Sequence, residues 1–193
     1  MKSRVDYIKE NMAGKVLDLG CNTGRLHGLI DDGKMIGLDV IIPKAGKRLV
    51  RGSALAMPFK DGSFDTIIAG ELLEHFNEKD GEKFLGECRR VLGKNGIAII
   101  STPNIKAWSN RLFGKFESAN PDDYSGHLKV YTIGELRGLC SKYFRIEDFF
   151  LLPYDEVASP NQKWFIYPLR KLVHYFLPNS LREEMIIKMR KVK

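Results

Sequence analysis

The chain of 193 residues holds only three cysteines, Cys21, Cys88 and Cys140, far apart and without any CxxC pair. An odd, scattered set of thiols argues against a disulfide framework or a cysteine metal cluster and fits a reducing, cytoplasmic setting. No apolar run approaches the roughly 18 residues of a membrane span. The start, MKSRVDYIKENM, lacks the apolar stretch of a secretory leader. Internal repeats, low-complexity tracts and linkers are absent too, which predicts one domain over 1–193. No His, Cys and acidic residues recur at ligand spacing, so no metal site is expected, and activity is expected to survive a chelator. Excess charge is scarce in the body. From Val157 onward eight Lys or Arg face only Glu183 and Glu184, so most of the formal +7 lies there. Nucleic acid is therefore disfavoured as a partner of the body.

What is present is an ordinary globular composition, 44% hydrophobic and 28% charged. Short apolar runs alternate with helical patterns, the mark of βαβ units and a parallel sheet. Strands are expected at 16–19, 35–40, 48–51, 64–69, 96–101 and 145–152. Met185, Ile187 and Met189 alternate with their neighbours at period two, which favours a seventh strand. Leu26, Leu29 and Ile30 share one helical face. Phe84, Leu85, Cys88, Val91 and Leu92 share another, closed by the turn GKNG. Thr132 and Glu135 form a capping box before a helix that turns Leu136, Leu139, Cys140 and Tyr143 inward. The expected fold is α/β: a doubly wound, mostly parallel seven-stranded sheet in a three-layer αβα arrangement.

The stretch VLDLGCNTG, residues 16–24, sets a lone carboxylate, Asp18, in an apolar strand and follows it with Gly20 and Gly24. Ligands of open parallel sheets bind at the carboxyl ends of the strands, where this turn lies. The turn is not G-x-G-x-x-G, and a carboxylate before it suits an amine-bearing ligand better than a pyrophosphate. A second acid, Asp39, closes the next strand about 20 residues on, where a carboxylate can grip ribose hydroxyls.

Together with GSALAMPFKDGSFDTIIAGELLEHF and STPN, these residues resemble the class I S-adenosylmethionine-dependent methyltransferases, in particular the small-molecule branch with ubiquinone-biosynthesis-like enzymes. The resemblance covers about Lys15 to Phe150 and implies a Rossmann-like fold and S-adenosylmethionine as cofactor. It implies that Asp18 fixes the loop and helps hold the methionine ammonium, while Gly20, Cys21, Asn22 and Gly24 pass under the methionine part. Asp39, with Val40, would meet the ribose. Ser53 and Ala54 stand where the family has Asp-Ala against the adenine edge, Met57 and Phe59 would line the adenine pocket, and Ala69, Gly70 and Glu71 would lie by the transferable methyl. Glu74 is expected to organise the pocket.

Methyl transfer from a sulfonium draws mainly on orientation, with a histidine as the natural proton acceptor for an oxygen or nitrogen nucleophile. His127, before the capped helix, is the preferred acid/base or substrate contact, with His75 beside the cofactor strand. Residues 104–126, carrying Trp108, Arg111, Phe113, Phe116 and Tyr124, are a candidate lid. Residues 157–180 are a candidate accessory helix whose stretch 163–177 is amphipathic and basic. That pattern fits peripheral membrane contact, packing over the sheet edge or a dimer contact. The expected function is methyl transfer to a small-molecule or lipid-like acceptor, by a monomer or a homodimer. A nucleotide-binding oxidoreductase is disfavoured by the missing glycine fingerprint. A non-catalytic scaffold binding a partner through its basic segment is the remaining alternative.

Overall fold

Ser3 opens the first helix, α1 (Arg4–Asn11), through a capping box in which its hydroxyl accepts from the Asp6 amide and the Asp6 carboxylate reaches back. The signal is written in SRVD, yet the weakly apolar segment gives no helical period to announce it. In this computed structural model residues 3–21, 25–30, 33–42, 48–104, 106, 126–152 and 184–192 are described. The order after α1 is β1 (Val16–Leu19), α2 (Arg25–Ile30), β2 (Ile36–Asp39), β3 (Leu49–Arg51) and β4 (Phe64–Gly70). A 3₁₀ turn (Leu73–His75), α3 (Glu78–Val91), β5 (Leu92–Pro103), α4 (Ile133–Ser141), β6 (Arg145–Leu152) and β7 (Glu184–Arg190) follow.

These strands form one seven-stranded sheet in the order β3-β2-β1-β4-β5-β7-β6. All neighbours pair in parallel except β7, which runs antiparallel to both β5 and β6. The chain builds outward from β1 to β3, then returns to lay β4 on the other side of β1. That reversal is a topological switch point, and it opens a crevice beyond the carboxyl ends of β1 and β4.

Period-two burial on both faces makes the sheet the middle of three layers. Leu17, Leu19, Ile67, Ala69, Ala98, Ile100, Met185, Ile187 and Met189 pack with α3 and α4 residues such as Phe84, Leu85, Leu136 and Cys140. Their neighbours Val16, Ile68, Ile97, Ile99 and Ile186 pack on the opposite side with Tyr7 and Ile8 of α1 and Ile30 of α2. Tyr7 fastens α1 further: its hydroxyl donates to Asp148 Oδ2 at 2.8 Å and its ring meets Phe150 edge-on at 4.4 Å.

Two local expectations are corrected. Leu29 does not share the buried face of α2 and is 45% exposed, while Ile30 alone is fully covered. The GKNG stretch belongs to β5, which begins at Leu92. Pairing of Phe64 with Leu92 and a register shift before Thr66 carry the strand through it. The described residues include no helix long and apolar enough to cross a membrane.

Candidate active site

Gly20 ends β1 in the left-handed region, at φ 70°, and its amide donates to the Leu38 carbonyl at 2.9 Å. A Cβ there would stand 3.0 Å from Leu72 Cδ1, so the turn runs close under the segment after β4. Cys21 tucks behind it against Gly37, where a Cβ would come within 2.8 Å of the sulfur. Burial pushes the Cys21 thiol up to about 12, which leaves it a neutral filler. Asp18 is 1% exposed, and its Oδ2 lies 3.3 Å from Nδ1 of His27 on α2. Burial raises the Asp18 carboxyl and His27 opposes the rise, so this contact is what accommodates a carboxylate inside the sheet. His27 was not singled out by its spacing.

One strand away Asp39 ends β2, half-buried, its Oδ1 accepting from the Ile41 amide at 2.8 Å. Val40 beside it is 44% exposed and Ile41 54%, an apolar shelf at the rim of the crevice. Ser53 and Ala54 follow β3 in a tight turn in which Ser53 Oγ accepts from the Leu55 amide at 3.1 Å. Met57 is 5% exposed and joins the core, and Phe59 packs edge-on against Phe64 at 4.9 Å. The backbone of Met57 is pinned from α3: Glu87 accepts from its amide at 2.7 Å and Arg90 donates to its carbonyl at 2.9 Å.

After β4 the chain turns sharply at Glu71, a non-glycine residue at φ 53°. Such a conformation costs on the order of 1–3 kcal/mol and persists where surroundings hold it. Here the Glu71 amide donates to the Ser101 carbonyl at 3.0 Å, and Ser101 Oγ donates to Glu71 Oε1 at 3.2 Å. Arg4 of α1 reaches the same place. It donates to Ser101 Oγ at 3.0 Å and to Glu184 Oε1 at 2.8 Å, and lies 3.7 Å from Glu71 Oε1. Burial, with Glu74 and Glu184 nearby, lifts the Glu71 carboxyl well above the usual range, and Arg4 pulls the other way. Ala69 is fully buried, and Gly70 leaves room for Leu26, whose Cδ2 would stand 3.0 Å from a Cβ.

The 3₁₀ turn delivers Glu74 and His75. Glu74 is fully buried; Thr102 donates to its Oε2 at 3.0 Å, and its Oε1 has no hydrogen-bond partner among the described residues. The Glu74 carbonyl accepts from the amides of Leu128 and Lys129 at 2.8 and 3.0 Å. His75 Nδ1 lies 3.0 Å from the Gly126 carbonyl, and because a carbonyl only accepts, that nitrogen carries the proton. Three bonds thus hold 126–129 against 74–75, and they bring the His127 ring 5.3 Å from that of His75, edge to face. Burial first, and then His75, lower the proton affinity of His127, which is therefore neutral at pH 7. Glu74, His75 and His127 each offer a ligand atom within 4.8 Å of the others. Sequence spacing predicted no metal-ligand set, because these residues come from two distant segments.

Asn22, Gly24, the candidate lid apart from Asn104, Lys106 and Gly126, and the candidate accessory helix 157–180 lie outside the described residues. The remaining expected cofactor residues follow the ends of β1, β2, β3 and β4, and the 126–129 segment brings His127 to His75 beside them. Arg4, Ser101 and Glu184 join them without having been expected.

A family model described as a methyltransferase domain matches residues 17–100. The chain is 35% identical over 181 residues to an uncharacterised protein of Methanocaldococcus jannaschii, covering 90% of this chain and 72% of that one. It is 31% identical over 128 residues to the demethylmenaquinone methyltransferase of Thermotoga maritima, covering 58% and 55%. Against several of the curated relatives it matches, the chain spans little more than half their length. A SAM-dependent methyltransferase of Methanosarcina mazei shares the fold, with TM-score 0.67 at 16% identity over 96% of this chain and 97% of that one. The switch-point crevice, the left-handed glycine turn and these matches agree, and the chain belongs to the class I S-adenosylmethionine-dependent methyltransferases.

Proposed function

We propose that the chain transfers a methyl group from S-adenosylmethionine to a small-molecule or lipid-like acceptor. The observation that carries this reading is the placement of Gly20, at φ 70° and closely approached, at the switch point one strand from Asp39. The residues fit the cofactor. Gly20, without a Cβ, opens the turn toward the methionine part, and the buried Asp18–His27 contact fixes the end of β1 from beneath. Asp39 accepts from the ribose hydroxyls, and exposed Val40 offers an apolar face to the adenine. Ser53 and Ala54 meet the adenine edge, and Met57 supports the pocket from the core. Ala69, Gly70 and the strained Glu71 shape the end where the methyl lies. Bound there, S-adenosylmethionine supplies an electrophilic methyl on a sulfonium.

His75 and His127 stand beyond Glu71, on the acceptor side, and are the catalytic groups of this reading. A neutral imidazole can contact an acceptor's nucleophile without repelling the sulfonium. Kinship with a demethylmenaquinone methyltransferase supports a small or lipid-like acceptor. The reading takes the enzyme as cytoplasmic, a monomer or homodimer, with nucleic acid disfavoured as a partner. Incubation with methyl-labelled cofactor and separate pools of metabolites, lipids and nucleic acids tests it. Label is expected in a metabolite or lipid fraction. Label in nucleic acid alone, or none anywhere, overturns the acceptor class.

A further inference from the structure

We propose that Glu74, His75 and His127 form a divalent transition-metal site that binds the acceptor's nucleophilic oxygen beside the transferable methyl. The role rests on the methyltransferase reading; the metal site stands on four observations of its own. The three side chains present a carboxylate oxygen and two imidazole nitrogens within 4.8 Å of one another. Metal–ligand distances of about 2.0–2.2 Å put tetrahedral ligands roughly 3.5 Å apart, so closure asks for at most ~1.3 Å, within a side-chain rotation of half-buried His127. The site is also built in advance, since the Glu74 carbonyl and the Gly126 carbonyl tie its two segments together through three hydrogen bonds.

His75 is oriented as a metal ligand is: its Nδ1 proton goes to a backbone carbonyl at 3.0 Å, which leaves the lone pair on Nε2. Glu74, for its part, keeps a fully buried carboxylate oxygen without a hydrogen-bond partner among the described residues. An orphaned buried acceptor costs on the order of 1–3 kcal/mol, and a cation removes that cost. Two nitrogens and one carboxylate select zinc, manganese, iron or cobalt over magnesium or calcium. Three protein ligands leave positions open, which is the pattern of a catalytic site.

The chemistry follows from the open position. An acceptor hydroxyl that displaces water from the metal is acidified, as metal-bound water is when its pKa falls to about 7. Its proton passes to solvent. The oxygen lone pair then forms the C–O bond to the methyl carbon as the C–S bond breaks, and the sulfonium departs as a neutral thioether. His127 serves as a ligand in this step, and activity is chelator-sensitive.

The test uses the chelator-stripped 193-residue chain, titrated calorimetrically with Zn²⁺, Mn²⁺ and Co²⁺, and separately with S-adenosylmethionine. Co²⁺ absorption in the visible range reports ligation directly. One saturable site per chain is expected, weakened more than about 10-fold in His127→Ala, whose melting temperature stays that of the stripped wild type. Glu74→Gln, also checked by melting, should lose the site equally. No saturable site in the wild type, or wild-type affinity and cobalt bands in His127→Ala, overturns the proposal. Cofactor binding without uptake of any of the three metals refutes the metal site and leaves the methyltransferase reading intact. Metal uptake without cofactor binding supports the site and refutes its methyl-transfer role.

Discussion

Replacing Arg4 by Met removes a guanidinium that is 3% exposed and ties α1 to the sheet. The loss takes the 2.8 Å ion pair with Glu184, the 3.0 Å bond to Ser101 and the 3.7 Å approach to Glu71. Glu184 is itself 2% exposed, so a buried carboxylate loses the guanidinium at 2.8 Å. Breaking a buried pair from one side costs about 3–5 kcal/mol. For a domain of this size each kcal/mol lowers the melting temperature by roughly 2–4 °C, which predicts a fall of about 6–20 °C by calorimetry. Arg4→Lys should fall between, because one ammonium cannot span the positions a guanidinium fork reaches. Arg4→Met/Glu184→Leu should recover part of the loss, since the carboxylate paired with Arg4 at 2.8 Å is removed with it. A melting point for Arg4→Met within about 1 °C of wild type refutes the reasoning. It would mean that Glu71 and Glu184 need no buried cation.

Two other perturbations test the frame of the site. Glu147 on β6 is held near 2, against an ordinary 4.5, chiefly by hydrogen bonding to Arg190, aided by Arg145 and Lys188. Its carboxyl thus binds protons less readily folded than unfolded, and its contribution is present above pH 4.5 and lost as pH falls toward 2. Because the pair is solvent-screened, urea titrations should show no more than about 1 kcal/mol disappearing over that window, and Glu147→Gln should lack this component. Gly20→Ala forces a side chain into φ 70° against Leu72. It should cost about 1–3 kcal/mol and weaken S-adenosylmethionine binding in the same protein, and unchanged melting and affinity would remove Gly20 from the turn.

Legibility in the sequence followed how local each feature is. The expected bounds of β6 match Arg145–Leu152, because its apolar run FFLL, ending in the buried Leu151 and Leu152, lies entirely within those eight residues. β7 was readable because its alternation is local: Met185, Ile187 and Met189 all face one core and Ile186 the other. Leu29 misled because a six-residue helix has too few turns to fix which residues face inward. The placement of Asp18 and Gly20 at the end of β1, and of Asp39 at the end of β2, was legible because a βα turn and a strand end are local designs. The Arg4 network was not, since its partners Ser101 and Glu184 come from β5 and β7. The Glu74, His75 and His127 cluster was hidden likewise. It exists only because backbone bonds from 126–129 close onto the 3₁₀ turn, a pairing that no ligand spacing along the chain records.

If this crevice holds S-adenosylmethionine by its ribose at Asp39, calorimetric titration separates wild type from Asp39→Ala. Stoichiometric micromolar binding to the wild type is expected. Loss of a charged acceptor for the ribose hydroxyls, worth roughly 1.5–3 kcal/mol, should weaken binding about 10- to 150-fold in Asp39→Ala. Equal affinity in the two proteins, or no binding to either, would contradict it.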